Sequence, residues 1–348
     1  MSDDFYKRTN YVVAATALVV LGVSVFWMAR VILLLFFAAV LFSILLCSVV
    51  DWVMRHTRLP RVWALVSVIA TIVMLTGLAL WARGPSVAEQ FGELASSLPA
   101  ASRQVWSELL GQSWAVWLTS RVGTAGQISS GIAYLLGKMG SAFVGTASLL
   151  VGSIVVLFAT LYLSAEPETY LATFLLFVPV EHRVRTQLAL RSVLQTLRAW
   201  LIAKVVSMIS IGIFVSAGLW ILKIPLAFTL GFVAALMTFV PNLGAVVSVI
   251  PAGLLAFAIS PEKGILTIAL FALAHFLEGN IITPMAEREF ADLPPALTLV
   301  VQLILSILSG GLGVALAAPL TAAGLSLLRF FNAATPGQSI RRRMLRIR

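Results

Sequence analysis

The sequence predicts an all-α polytopic membrane protein: about six full transmembrane helices, two re-entrant helical hairpins (an eight-span layout) and amphipathic interfacial helices. Three observations predict it. Of the 348 residues, 60% are hydrophobic and 11% charged, and the mean hydropathy is +1.02. Soluble domains carry about a quarter charged residues, so a soluble globular protein is excluded. Apolar runs long enough to cross a bilayer recur along the chain, and two of them are too long for one crossing and are broken near the middle.

A crossing takes about 20 apolar residues, each adding 1.5 Å across a hydrocarbon core of about 30 Å. Runs of this length fall at 11–29, 31–50, 62–82, 141–163, 201–222 and 264–286. The first opens with Lys7 and Arg8 but continues through Phe26, Trp27 and Met28 without a small-residue cleavage site. It therefore reads as a retained span and not as a signal peptide. The stretches 225–259 and 296–328 would each reach about 50 Å as straight helices. Pro241-Asn242-Leu243-Gly244 interrupts the first, and Ser309-Gly310-Gly311-Leu312-Gly313 the second. Proline removes a backbone donor and glycine leaves backbone bare, so each stretch turns there and leaves by the face it entered.

The net charge of +10 lies between apolar spans, which is the signature of membrane topology and not of nucleic-acid binding. Six crossings and two hairpins put both termini on one side. With that side inside, inner segments hold seventeen Lys and Arg and outer segments seven, so both termini are expected in the cytoplasm. The tail 330–348, with Arg341, Arg342, Arg343, Arg346 and Arg348, suits anionic lipid headgroups. The single cysteine, Cys47, excludes a disulfide framework and a thiolate metal cluster.

The chain divides into an N-terminal membrane part (1–200), a C-terminal transport core (201–329) and the basic tail. The N-terminal part carries two amphipathic segments. In the outer one, 83–140, Val87, Phe91, Leu94 and Leu98 recur at helical spacing, followed by Trp106, Trp114 and Trp117. In the inner one, 164–200, Leu190, Leu194 and Leu197 make a stripe running on to Leu201, beside Arg183, Arg185, Arg191 and Arg198. The expectation is a helix resting on the bilayer. Asp51 and Arg55 are expected to form an i,i+4 surface pair, and Lys204 to snorkel to the headgroups.

Ionisable groups inside a bilayer cost about 2.5–3.5 kcal/mol on insertion scales, which makes them functional candidates. The run 264–286 holds the most: His275, Glu278, Asn280 and Thr283, ending at Pro284. Glu278 could exchange a proton or bind a cation, since desolvation favours the neutral acid. Alternatively it hydrogen-bonds backbone freed by Gly279 and Pro284. His275 lies three residues before it on the same face, but two ligands do not make a metal site. The broken stretches form the second constellation. Pro241, Asn242 and Gly244, and in the second stretch Gly310, Gly311 and Gly313, would present backbone groups to a polar substrate, or would form a notch for close helix packing. No Walker sequence and no Gly-x-Ser-x-Gly elbow occurs, and the spans hold no pair of aspartates. Neither an enzyme nor a cofactor is expected.

These motifs together resemble the autoinducer-2 exporter family of permeases. The carrying segments are Val240-Pro241-Asn242-Leu243-Gly244 with Pro251, then Leu277-Glu278-Gly279-Asn280-Ile281-Ile282-Thr283-Pro284, Leu293-Pro294, and Gly310-Gly311-Leu312-Gly313 through Ala318-Pro319. Order and spacing match over 200–329, and the first 200 residues match in layout. After Pro284 the family tends to carry a glycine-containing basic loop, where this chain has Glu287, Arg288, Glu289 and Asp292. The resemblance implies a homo-oligomeric permease of the bacterial inner membrane that exports a small polar molecule such as autoinducer-2 by alternating access. Proton coupling at Glu278 fits that role. Sodium(lithium)/proton antiport, with a monovalent cation as partner, is the alternative it leaves open, and a scaffold without transport is the further one.

Overall fold

The computed structural model describes residues 2–110, 147–241, 243–282 and 294–333, and every regular element among them is helical. In chain order these are α1 (Ser2–Thr57), α2 (Arg61–Leu110), α3 (Ala147–Ala165), α4 (Pro167–Leu176), α5 (Val180–Ile221), α6 (Ala227–Thr238), α7 (Leu243–Ile259), α8 (Pro261–Leu277) and α9 (Pro295–Ala333). A π-helical turn, Glu278–Ile282, prolongs α8. Among the described residues, five helical stretches are long and apolar enough to cross a membrane: Trp27–Thr57, Arg61–Leu78, Val180–Ile221, Pro261–Ile281 and Pro295–Asn332.

Two spans expected at 11–29 and 31–50 lie on one continuous helix of 56 residues, about 84 Å long. From Val23 to Leu59 the sequence contains neither glycine nor proline, so nothing stops the helix at Arg30. Arg30 is accommodated instead. Its Nη1 donates to the Trp27 carbonyl at 2.6 Å, its guanidinium lies 4.3 Å from the Trp27 ring centroid, and its Nε donates to the Leu308 carbonyl of α9 at 2.7 Å. The two expected spans are thus parts of one helix, with no turn between them. The helix ends where Arg58 takes a positive φ of 55° ahead of Leu59-Pro60.

The amphipathic segments also differ from expectation. Residues 83–110 continue α2, whose 50 residues are unbroken, while 111–140 lie outside the described residues. Leu94, Leu98 and Ala101 are buried in a core whose other members come from α5, α6, α7 and α8, with α7 as the main neighbour of α2, and Gln104 Nε2 donates to the Ala258 carbonyl at 3.0 Å. The inner segment likewise merges with the span after it, because α5 runs through residue 200 for 42 residues. Its leucine stripe is covered mostly by protein: Leu197 and Leu201 pack with Leu34 and Leu41 of α1 and Leu316 of α9. Asp51 pairs with Arg198 (3.2 Å) and Arg61 (3.9 Å) in place of Arg55. Arg61 also donates to the Ser164 carbonyl at 3.1 Å and to Cys47 Sγ at 3.2 Å, so this cluster ties together α1, α2, α3 and α5.

Both long apolar stretches reverse at their predicted breaks. The helices α6 and α7 pack on each other across a turn at Phe239–Leu243. Gly244 sits so close to the Met237 carbonyl that a β-carbon there would collide with backbone. In α9 the helix is interrupted at Gly310, whose φ of 61° and ψ of −140° suit glycine alone. A β-carbon on Gly313 would collide with the Leu305 carbonyl, an approach that eight residues of straight helix would forbid. The chain therefore folds back on itself between residues 305 and 313.

Alanine scanning of this reversal has a definite expected pattern. Gly310→Ala should destabilise by about 1–3 kcal/mol through backbone strain. Gly313→Ala should lower the unfolding temperature through its clash with Leu305. Gly311→Ala, which meets nothing within 4 Å, should leave it unchanged. Thermal unfolding of the three variants in detergent checks the order.

Candidate functional site

The helix α5 carries the site because its two halves serve two different cores. Its first half, with Val193, Leu197 and Trp200, packs on α1 and α9, and its second half, with Ile211, Val215 and Leu219, packs on α6 and α8. Between them lie Lys204 and Ser207, on the face shared by Trp200 and Ile211. The Lys204 ammonium sits 3.5 Å from Glu278 Oε1, with the two side chains only 13% and 16% exposed. His275 Nδ1 lies 3.8 Å from the other carboxylate oxygen, and the buried Ser207 also faces the group. The expectation that Lys204 snorkels outward is thus replaced by an inward ion pair between α5 and the end of α8.

The pair also changes the environment assumed for Glu278. Desolvation alone describes a lone carboxyl, whereas here an ammonium and an imidazole compensate the charge. The carboxylate sits where α8 widens into the π turn, a local distortion often found at functional sites. His275 Nε2 is buried with no hydrogen-bond partner among the described residues. No third His, Cys, Asp or Glu joins His275 and Glu278 among those residues.

Asn280 does not join this cluster. It is exposed, and its Nδ2 donates to the Phe276 carbonyl of its own helix at 2.8 Å. Thr283, Pro284 and Asn242 lie outside the described residues. Pro241 is placed at the first break, its carbonyl accepting from Leu243 N at 2.7 Å and from Gln302 Nε2 of α9 at 3.2 Å. Gly244 lies beside it, while Gly310, Gly311 and Gly313 form the second break. The ion pair and the first break are neighbours along α5. Trp200, one turn before Lys204, packs edge-on against Phe239 with ring centroids 5.9 Å apart.

Four contributors escaped the sequence reading: Lys204, Ser207, Gln302 and Arg30. For Gln302 a signal existed, since Thr298 and Gln302 are polar residues i,i+4 in an otherwise apolar run.

An ion pair held between apolar helices, next to capped helix breaks, is an arrangement that membrane transport proteins use. The family follows from comparison: the profile of the AI-2E family transporter matches residues 16–333, and the chain belongs to that family. YrrI of Bacillus subtilis strain 168 is 23% identical over 308 residues, 86% of each chain. YhhT of Escherichia coli K12 is 26% identical over 294 residues, 81% of this chain and 80% of YhhT. A Thermotoga maritima protein is 40% identical over 113 residues, 32% of this chain and 35% of its own. All three are named as candidate transport proteins.

Removing one member of a buried pair strands the other charge, which costs about 3–5 kcal/mol at full burial. With the slight exposure here, Lys204→Met and Glu278→Gln should each destabilise by about 2 kcal/mol. The double variant should recover part of the loss. Equilibrium unfolding in mixed micelles reads the cycle, and strictly additive losses would mean that the two groups do not interact.

Proposed function

We propose that the protein is a secondary transporter of the bacterial inner membrane that exports a small polar, autoinducer-2-like molecule by alternating access, with Glu278 coupling export to protons. The observation that carries this reading is the Lys204–Glu278–His275 cluster, held between α5 and α8 one turn from the first helix break. A carboxylate paired this way is a switch with two partners. When α8 moves against α5 the ammonium is withdrawn, and the carboxylate, left in apolar surroundings, takes up a proton. When the helices close again, Lys204 displaces that proton. The two hairpins, α6–α7 and the arms of α9, are re-entrant in this scheme. They move with α8 as the unit that opens alternately to each side. Lys204 stands on one side of Glu278, where a bound sodium or lithium ion would otherwise lie, which favours solute export over cation antiport.

In this reading the arginine-rich tail is cytoplasmic and rests on anionic lipid. The reading takes α1 to cross once, because it is one unbroken helix; residues 2–26 then lie on the side opposite the tail, and the inner surface keeps its excess of Lys and Arg.

Two experiments test this reading. In liposomes containing the purified protein and a trapped pH dye, an outward gradient of the autoinducer should move protons, and Glu278→Gln should abolish the signal. An unchanged signal in that variant would remove the carboxylate from coupling. An affinity tag at the N-terminus should be reachable from the periplasm and one at the C-terminus should not. Protection of both would restore the two-crossing arrangement.

A further inference from the structure

Gln302 is 2% exposed and lies on the first arm of α9, facing the break between α6 and α7. Its Nε2 donates to the Pro241 carbonyl at 3.2 Å, while its Oε1 is buried and has no hydrogen-bond partner among the described residues. The orientation of the amide is forced. Reversed, it would place two carbonyl oxygens against each other, whereas as placed a donor meets an acceptor. A buried acceptor left without a donor destabilises a fold. A clasp between the two hairpins would need only the nitrogen, and the oxygen is left for another donor. One turn earlier on the same face Thr298 is buried too, and its hydroxyl bonds back to the Pro294 carbonyl of its own helix. The surroundings include a helix break with bare backbone, the setting in which transporters bind polar solutes. Lys204 and Glu278 compensate each other, and the free oxygen is an unmet acceptor beside the first break among the described residues.

We propose that Gln302 is a solute-contact residue of the translocation path, its Oε1 accepting a hydrogen bond from a hydroxyl or N–H group of an uncharged solute passing between the two helix breaks. In the described conformation the residue is occluded, and it becomes wet when the hairpins part. The inference rests on the transport reading above but not on its proton coupling.

The test uses the full chain made cysteine-free by Cys47→Ser, since Cys47 is the single cysteine. Cysteine is then placed singly at Gln302, at Thr298 as a second reporter in case Gln302→Cys fails to fold, at fully buried Ala317 and at exposed Thr57. Membrane vesicles of both orientations are treated with a charged methanethiosulfonate. Position 302 or 298 should label about ten-fold faster than 317, because only a path that opens to water admits the reagent. Xylitol should lower the rate at 298, where Gln302 is intact, and not at 57. No labelling at either 302 or 298 in folded protein, or equal labelling at 317, would overturn the path assignment. Labelling at 298 that xylitol leaves untouched would overturn the hydroxyl-donor class. A failed proton signal in the Glu278 experiment would leave these rates unchanged, so the two readings fail separately.

Discussion

A backbone carbonyl or amide that loses its helical partner in apolar surroundings must find another, and the arrangement of this protein follows from how it meets that demand. The chain breaks two of its long apolar stretches. Each break frees carbonyls, and at each a side chain from a distant part of the chain supplies a donor. Gln302 reaches the Pro241 carbonyl at the first break, and Arg30 reaches the Leu308 carbonyl just before Gly310 at the second. The breaks are thereby built into the fold: one is joined to the other hairpin, and the other to α1.

The helix α5 is the axis on which these parts meet. Its apolar face changes partners midway, from α1 and α9 to α6 and α8. A lysine and a serine stand at the changeover. Placing charge there would be prohibitive without the carboxylate that ends α8, and that carboxylate would be equally costly without the lysine. The pair therefore binds the relative position of α5 and α8 to a charge balance. That is why the site and the packing cannot be altered independently.

Much of this was legible in the sequence because it is local. Proline and glycine in the middle of apolar runs mark reversals by their own chemistry, and the breaks at Pro241–Gly244 and Gly310–Gly313 are where the residues put them. Run length alone located apolar helices around 62–82 and 201–222, but it split the one helix that holds 11–29 and 31–50. What escaped is long-range or depends on what does not happen. Lys204 meets Glu278 across 74 positions and Asp51 meets Arg198 across 147, and no spacing in one sequence reveals either pairing. Asp51 and Arg55 had the right i,i+4 interval, yet two other guanidiniums took the carboxylate. The unity of α1 was hidden because a charge such as Arg30 ends an apolar run without ending a helix. The amphipathic stripes gave the periodicity of 94–98 and 190–201 correctly, but a stripe does not say whether lipid or protein will cover it.

The helix α2 is bound at two separated points. Near Arg61 it is anchored to Asp51, Cys47 and the Ser164 carbonyl, and some 40 residues later Leu94, Leu98 and Gln104 hold it to the helices that surround the first break, a span of about 60 Å. Such a rod is a lever. A slight change of tilt at the Arg61 end becomes a large sweep at the far end, and any rocking of α7 is returned along the same shaft. Movement of the proposed hairpins would thus be carried to the opposite end of the molecule.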